Sequence, residues 1–108
     1  MEYRRLGRSG LKISKLALGT MNFGNPTDKA EAFETIHTAL DAGINILDCA
    51  DVYAEGQSER IIGEALAESG KRNDVFVTSK VFLPTGSGPN EAGNSKHHII
   101  TGCESSLK

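Results

Sequence analysis

Three apolar runs, each ending at a polar residue and separated by helix-patterned segments, steer this 108-residue chain towards a parallel α/β arrangement. Lys15-Leu16-Ala17-Leu18 leads into Gly19-Thr20, Ile44-Asn45-Ile46-Leu47 into Asp48, and Val75-Phe76-Val77-Thr78-Ser79 into Lys80. Parallel strands need a long crossover between them, usually a helix. Their carboxyl ends then face one side of the sheet, where ligands bind in such folds. Thr20, Asp48 and Lys80 are therefore expected on one rim, with Tyr53 just beyond the second strand.

The segments between the runs carry helix signals. Asp28 followed by Glu31 has capping-box spacing, and Phe33, Ile36, Ala39 and Leu40 recur on one helical face, which Gly43 ends. Ser58 is the expected N-cap of a second helix carrying Ile61, Ile62, Ala65 and Leu66 and stopped by Gly70. Pro84 to Ser95 reads as a loop after the third strand. Within it Gly86-Ser87-Gly88 imitates the start of a dinucleotide fingerprint, but Glu91 stands where the third glycine belongs. A third helix is expected from near Ser95 through Ile99, Ile100 and Cys103 to Leu107, with His97 and His98 as solvated or capping residues at its start.

Ahead of the first run, Tyr3 and Leu6 precede a Gly7-Arg8-Ser9-Gly10 turn, and Leu11 and Ile13 alternate with polar residues after it. That pattern predicts a hairpin. A hairpin over 1–14 and three βα units over 15–108 suit either a small open sheet or the N-terminal part of a (β/α)8 TIM barrel, which takes about 250 residues. A third strand left as an open edge would invite aggregation, and this favours the barrel.

Composition narrows the partners. A formal charge of -2 provides no field for nucleic acid or an anionic membrane. No apolar stretch approaches the roughly 18 residues of a spanning helix. The start, Met1-Glu2-Tyr3-Arg4-Arg5, is too polar for a signal peptide. Cys49 and Cys103 have neither disulfide density nor metal spacing, so free thiols in a reducing cytoplasm are expected and no metal site is.

The rim residues suit proton transfer. A phenol has a reference pKa of about 10, so it gives up a proton at neutral pH only where the phenolate is stabilised. Lys80 is the one lysine expected at a strand's carboxyl end on this rim, and Asp48 would keep it charged and oriented. With Tyr53 five residues after Asp48, the trio suits protonation of a carbonyl oxygen while a hydride reaches its carbon.

At this constellation the sequence resembles the aldo-keto reductase family. Asp41-Ala42-Gly43-Ile44-Asn45-Ile46-Leu47-Asp48-Cys49-Ala50-Asp51-Val52-Tyr53, followed by Gly56-Gln57-Ser58-Glu59-Arg60-Ile61-Ile62-Gly63-Glu64-Ala65-Leu66, is similar to that family's signature. Met1 to Ser14 resembles its N-terminal hairpin, Leu18 to Gly24 its first strand and loop, Thr78-Ser79-Lys80 its third strand, and Ser105 to Lys108 its third helix. The Gly19-Thr20-Met21-Asn22-Phe23-Gly24 stretch looks closer to the bacterial and potassium-channel-β-like branch than to the mammalian aldose reductases.

The resemblance implies NADPH-dependent reduction of an aldehyde or ketone on a TIM-type barrel, or the reverse oxidation. It makes Tyr53 the general acid, Lys80 the group that eases its ionisation, and Asp48 the partner of Lys80 near the nicotinamide ribose. Gly19, Thr20 and Met21 would line the nicotinamide side of the cleft. The family's catalytic histidine ends a fourth strand that this chain does not contain, and His37, His97 and His98 do not replace it. Two other readings stand beside this one: a non-catalytic nicotinamide-binding regulatory subunit, and an inactive truncated product.

Overall fold

The computed structural model covers residues 1–108. Tyr3–Arg5 (β1) and Lys12–Ser14 (β2) form the expected antiparallel hairpin, with Tyr3 opposite Ser14. Leu18–Gly19 (β3), Ile46–Asp48 (β4) and Phe76–Thr78 (β5) form a parallel sheet in that order. Gly19 lies level with Asp48, and Asp48 with Thr78. Each strand is shorter than its apolar run. Only β4 is paired on both sides, so the ladder ends early on the flanking strands. Backbone bonds from Cys49 N–H to Thr78 O (2.9 Å) and from Asp51 N–H to Lys80 O (3.2 Å) carry the pairing past the formal strands to the rim.

Lys29–Asp41 (α1) starts where Asp28 accepts from the Glu31 N–H at 2.9 Å. Ala42 closes it and Gly43 follows at φ +90°. A Cβ at Gly43 would stand 2.9 Å from both Met1 Cβ and Tyr3 Oη, and Tyr3 donates to the Gly43 carbonyl at 2.8 Å. The glycine thus lets the hairpin dock on the sheet end opposite the rim. Gln57–Ser69 (α2) ends, as expected, in a left-handed Gly70.

The start of α2 differs from the sequence reading. Gly56, not Ser58, occupies the N-cap, and Ser58 is completely buried inside the first turn. The core fills the space between α1, α2 and the sheet with Ile36, Leu40, Leu47, Ile61, Ile62 and Leu66. Burying each such side chain stabilises the fold by about 1.5–3 kcal/mol relative to leaving it in water.

Lys96–Ser106 (α3) starts, as expected, at a Ser95 cap, but its inward face is unexpected. Ile99 and Ile100 are nearly half exposed, and Leu107 is fully on the surface. The buried residues are His98 and Gly102. A Cβ at Gly102 would stand 2.5 Å from Val81 Cγ1, so the close approach to the segment after β5 selects this face rather than apolar spacing. No helix is long and apolar enough to cross a membrane.

Candidate active site

Lys80 lies two residues past β5, and its side chain reaches back over the strand ends. Its ammonium donates to Asp48 Oδ2 at 2.9 Å, to the Cys49 carbonyl at 2.7 Å and to the Tyr53 hydroxyl at 3.3 Å. An ammonium has three protons to give, and all three are used. Asp48 Oδ1 accepts from Thr78 Oγ1 at 2.7 Å, so both of its oxygens are held. The Lys80 nitrogen also stands 5.1 Å from the Tyr53 ring centroid.

The charges follow from these contacts. The Lys80 hydrogen bond first, and the Thr78 hydrogen bond second, hold the Asp48 carboxyl below the usual carboxylate range. For Lys80, desolvation pulls downward and is the largest single influence. The hydrogen bonds to Asp48 and Tyr53 and the Asp48 charge together outweigh it, and the ammonium is held above its ordinary value. Lys80 therefore stays protonated beside the phenol at neutral pH.

A buried hydroxyl and thiol cluster supports this rim from below. Ser58 Oγ donates to the Thr20 carbonyl at 2.8 Å and lies 3.4 Å from Cys49 Sγ. Thr20 Oγ1 donates to the Asp48 carbonyl at 3.0 Å. Cys49 and Ser58 are fully buried, and Thr20 nearly so. Cys49 is a free thiol of the core, while Ser58 joins α2 to the ends of β3 and β4.

The loop from Tyr53 into α2 runs through Ala54 (φ +49°), Glu55 (φ +56°) and Gly56 (φ +88°). Non-glycine residues pay about 1–2 kcal/mol each in that region, so packing must hold the loop. Gly24 does part of this: at φ +95°, a Cβ there would stand 2.9 Å from Gln57 Cβ and 3.1 Å from Ala54 Cβ. Gly24→Ala should therefore destabilise the protein by about 1–3 kcal/mol, read as a lower Tm. It should also loosen the Tyr53 loop, whereas an unchanged Tm would show the loop is held elsewhere.

Beside the trio lies a cleft of about 530 Å³, lined by Gly19, Thr20, Met21, Phe23, Asp48 and Tyr53 among others. Gly19, Met21 and Asp48 share the cleft, with Met21 exposed to it. Thr20 lines it too, but its hydroxyl is committed to the Asp48 carbonyl. No group of His, Cys, Asp and Glu side chains suits a metal. His97 is exposed on α3, as expected. His98 is not solvated: it is 3% exposed, with Nδ1 2.7 Å from the Gly93 carbonyl. It is buried because it lies one turn from Gly102, on the face that meets the segment after β5.

A parallel βα sheet carries Asp48, Lys80 and Tyr53 at its carboxyl rim, with the Lys80 ammonium in contact with both the carboxylate and the phenol. The sequence model of the Aldo/keto reductase family matches residues 15–108, and the chain belongs to that family. It is similar, at 46% identity over its whole length, to a protein of Oryza sativa subsp. japonica described as a probable voltage-gated potassium channel subunit beta, covering 33% of that protein. The uncharacterized oxidoreductase YrpG of Bacillus subtilis is 44% identical, with all of this chain and 36% of YrpG covered. A solved structure of a provisionally assigned aldo-keto reductase from Pseudomonas aeruginosa superposes with a TM-score of 0.80 at 37% identity. That match covers 97% of this chain and 39% of the other. The fold is thus part of an aldo-keto reductase barrel, and the chain spans about a third of the curated relatives it matches.

Proposed function

We propose that this chain forms part of an oxidoreductase that uses NADPH to reduce the carbonyl of a small aldehyde or ketone to an alcohol, reversibly. The observation that carries the reading is the saturated Lys80 ammonium, shared among Asp48, the Cys49 carbonyl and the Tyr53 hydroxyl. Because Lys80 donates to the phenol oxygen, the phenol keeps its own proton for an acceptor in the cleft. As negative charge builds on the substrate oxygen, Tyr53 passes it that proton, and the adjacent ammonium stabilises the phenoxide left behind. Asp48 keeps the ammonium in place.

The residues present fit the ribose and nicotinamide end of the cofactor. Asp48 is nearly half exposed at the cleft, and each carboxylate oxygen retains a lone pair for a ribose hydroxyl. No atom lies within 4 Å of where a side chain at Gly19 would begin, so a flat ring has room there. When bound, the reduced nicotinamide supplies the hydride.

The test is an assay of the complete polypeptide with reduced nicotinamide cofactor and a panel of aldehydes and ketones. Cofactor consumption that depends on a carbonyl is expected. The second reading, a nicotinamide-binding regulatory subunit, draws on the relatives described as channel β subunits. It predicts cofactor binding with no carbonyl-dependent consumption, an outcome that would overturn the first.

A further inference from the structure

Asp51 Oδ2 and His98 Nε2 are both buried, and neither has a hydrogen-bond partner. Leaving such an atom unpaired is costly, and the chemistry at Tyr53 uses neither. They belong to facing elements. Asp51 lies on the loop that carries Tyr53, and its carboxyl oxygen is 3.8 Å from where a Cβ on Gly102 of α3 would stand. His98 is four residues earlier on α3, hence on the same helical face. Both residues line one gap between that loop and α3.

The protons decide what is missing. A carbonyl only accepts, so the contact from His98 Nδ1 to the Gly93 oxygen at 2.7 Å puts the ring proton on Nδ1. In the neutral ring, Nε2 is then a bare acceptor. An ionised Asp51 is also only an acceptor, and one added proton between them satisfies both. Burial first, and then the charge of Glu59 on α2, push the Asp51 carboxyl above the usual range, while His98 acts in the opposite sense. Glu59 itself accepts from the Ser79 hydroxyl at 2.5 Å, and His97, Glu55 and Glu91 line the same gap. The Asp51 N–H donates to the Lys80 carbonyl, so Asp51 touches the segments of both catalytic side chains.

We propose that Asp51 and His98 share one proton, directly or across a single buried water, and thereby latch α3 onto the loop that carries Tyr53. Asp51 is then a positioning residue. Its effect on turnover rests on the reading of Tyr53 above, whereas the latch itself does not.

Amide hydrogen exchange on the complete polypeptide tests the latch without reference to activity. Asp51→Ala and His98→Ala should each speed exchange of the Asp51 and Tyr53 amides roughly tenfold. The double variant should be no faster than either single one, because both remove the same interaction. Asp51→Asn is the discriminating change, since its amide offers His98 Nε2 a donor that cannot titrate. It should keep slow exchange at every pH. In the unaltered protein, exchange corrected for its intrinsic pH dependence should quicken as pH rises from about 4 through the raised Asp51 value, as the shared proton is lost.

Additive single effects, unaltered exchange in His98→Ala, or an Asp51→Asn variant as fast as Asp51→Ala would each overturn the proposal. Should the alanine variants unfold, with the Leu66 amide of α2 exchanging alongside, the pH comparison between Asp51→Asn and the unaltered protein decides. In turnover, loss of the latch should lower kcat and leave KM unchanged. Turnover that survives Tyr53→Phe would sink the catalytic reading and leave the exchange result standing.

Discussion

Tyr53→Phe should lower kcat for carbonyl reduction by roughly 10³-fold, within the 10²–10⁴ expected of a positioned general acid. The change removes one oxygen and keeps the ring, which packs against the core cluster. The fold therefore has little reason to respond. What is lost is the 3.3 Å contact with Lys80 and the proton passed to the substrate. An interaction made only as charge develops lowers kcat without raising KM. The informative result is thus a fall in kcat beside an unchanged Tm and unchanged cofactor affinity, the latter measured by titration. Turnover within threefold of the unaltered protein would mean that the proton comes from elsewhere.

The rim was foreseeable because two periodicities point to it. Apolar runs mark the strands and helical spacing marks the crossovers, and parallel topology then fixes which ends meet. Asp48, Tyr53 and Lys80 could thus be placed together from order alone. The strands are shorter than the apolar runs because such runs record burial, whereas pairing needs a neighbour, and β3 and β5 each have only one. The same limit explains α3. Ile99 and Ile100 are its most apolar residues and yet stay nearly half exposed, because Gly102 is where the helix meets Val81, and a glycine gives no apolar signal.

Ser58 and His98 were misplaced for a related reason. A serine ahead of an apolar-periodic segment reads as a cap, and here the three left-handed residues Ala54, Glu55 and Gly56 start the helix two residues earlier. The hydroxyl is then carried inward to Thr20. Histidines at a helix start read as solvated, and nothing local in the sequence shows that α3 buries one of them beside the Gly93 carbonyl. Both errors involve polar groups buried by tertiary contacts, which periodicity does not register.

Lys80→Met should separate stability from chemistry more sharply than any other change at the rim. The ion pair with Asp48 is nearly half exposed on both sides, 48% and 46%, so its worth to the fold is at most about 1 kcal/mol. A Tm shift of only a few degrees is expected. The variant should nonetheless lose about 10²–10³ in kcat, because the phenoxide would form without its adjacent positive charge. Loss of the Lys80 hydrogen bond removes the largest cause of the lowered Asp48 value, so that carboxyl should titrate nearer the usual 3.9 or so. The Thr78 bond would hold it partway, and the carboxyl carbon resonance would report the change. In the unaltered protein, Asp48 contributes stability that is present above about pH 4 and is lost as pH falls through its lowered value. Lys80 contributes stability that is present below about pH 10.4 and is lost as pH rises through its raised value. The stability difference between variant and unaltered protein should therefore be flat through neutral pH and shrink at both extremes. Lys80→Arg should recover the Tm but little of the turnover, since a planar guanidinium cannot aim donors at the same three oxygens. Full turnover in either variant would show that the ammonium only ties the strand ends together.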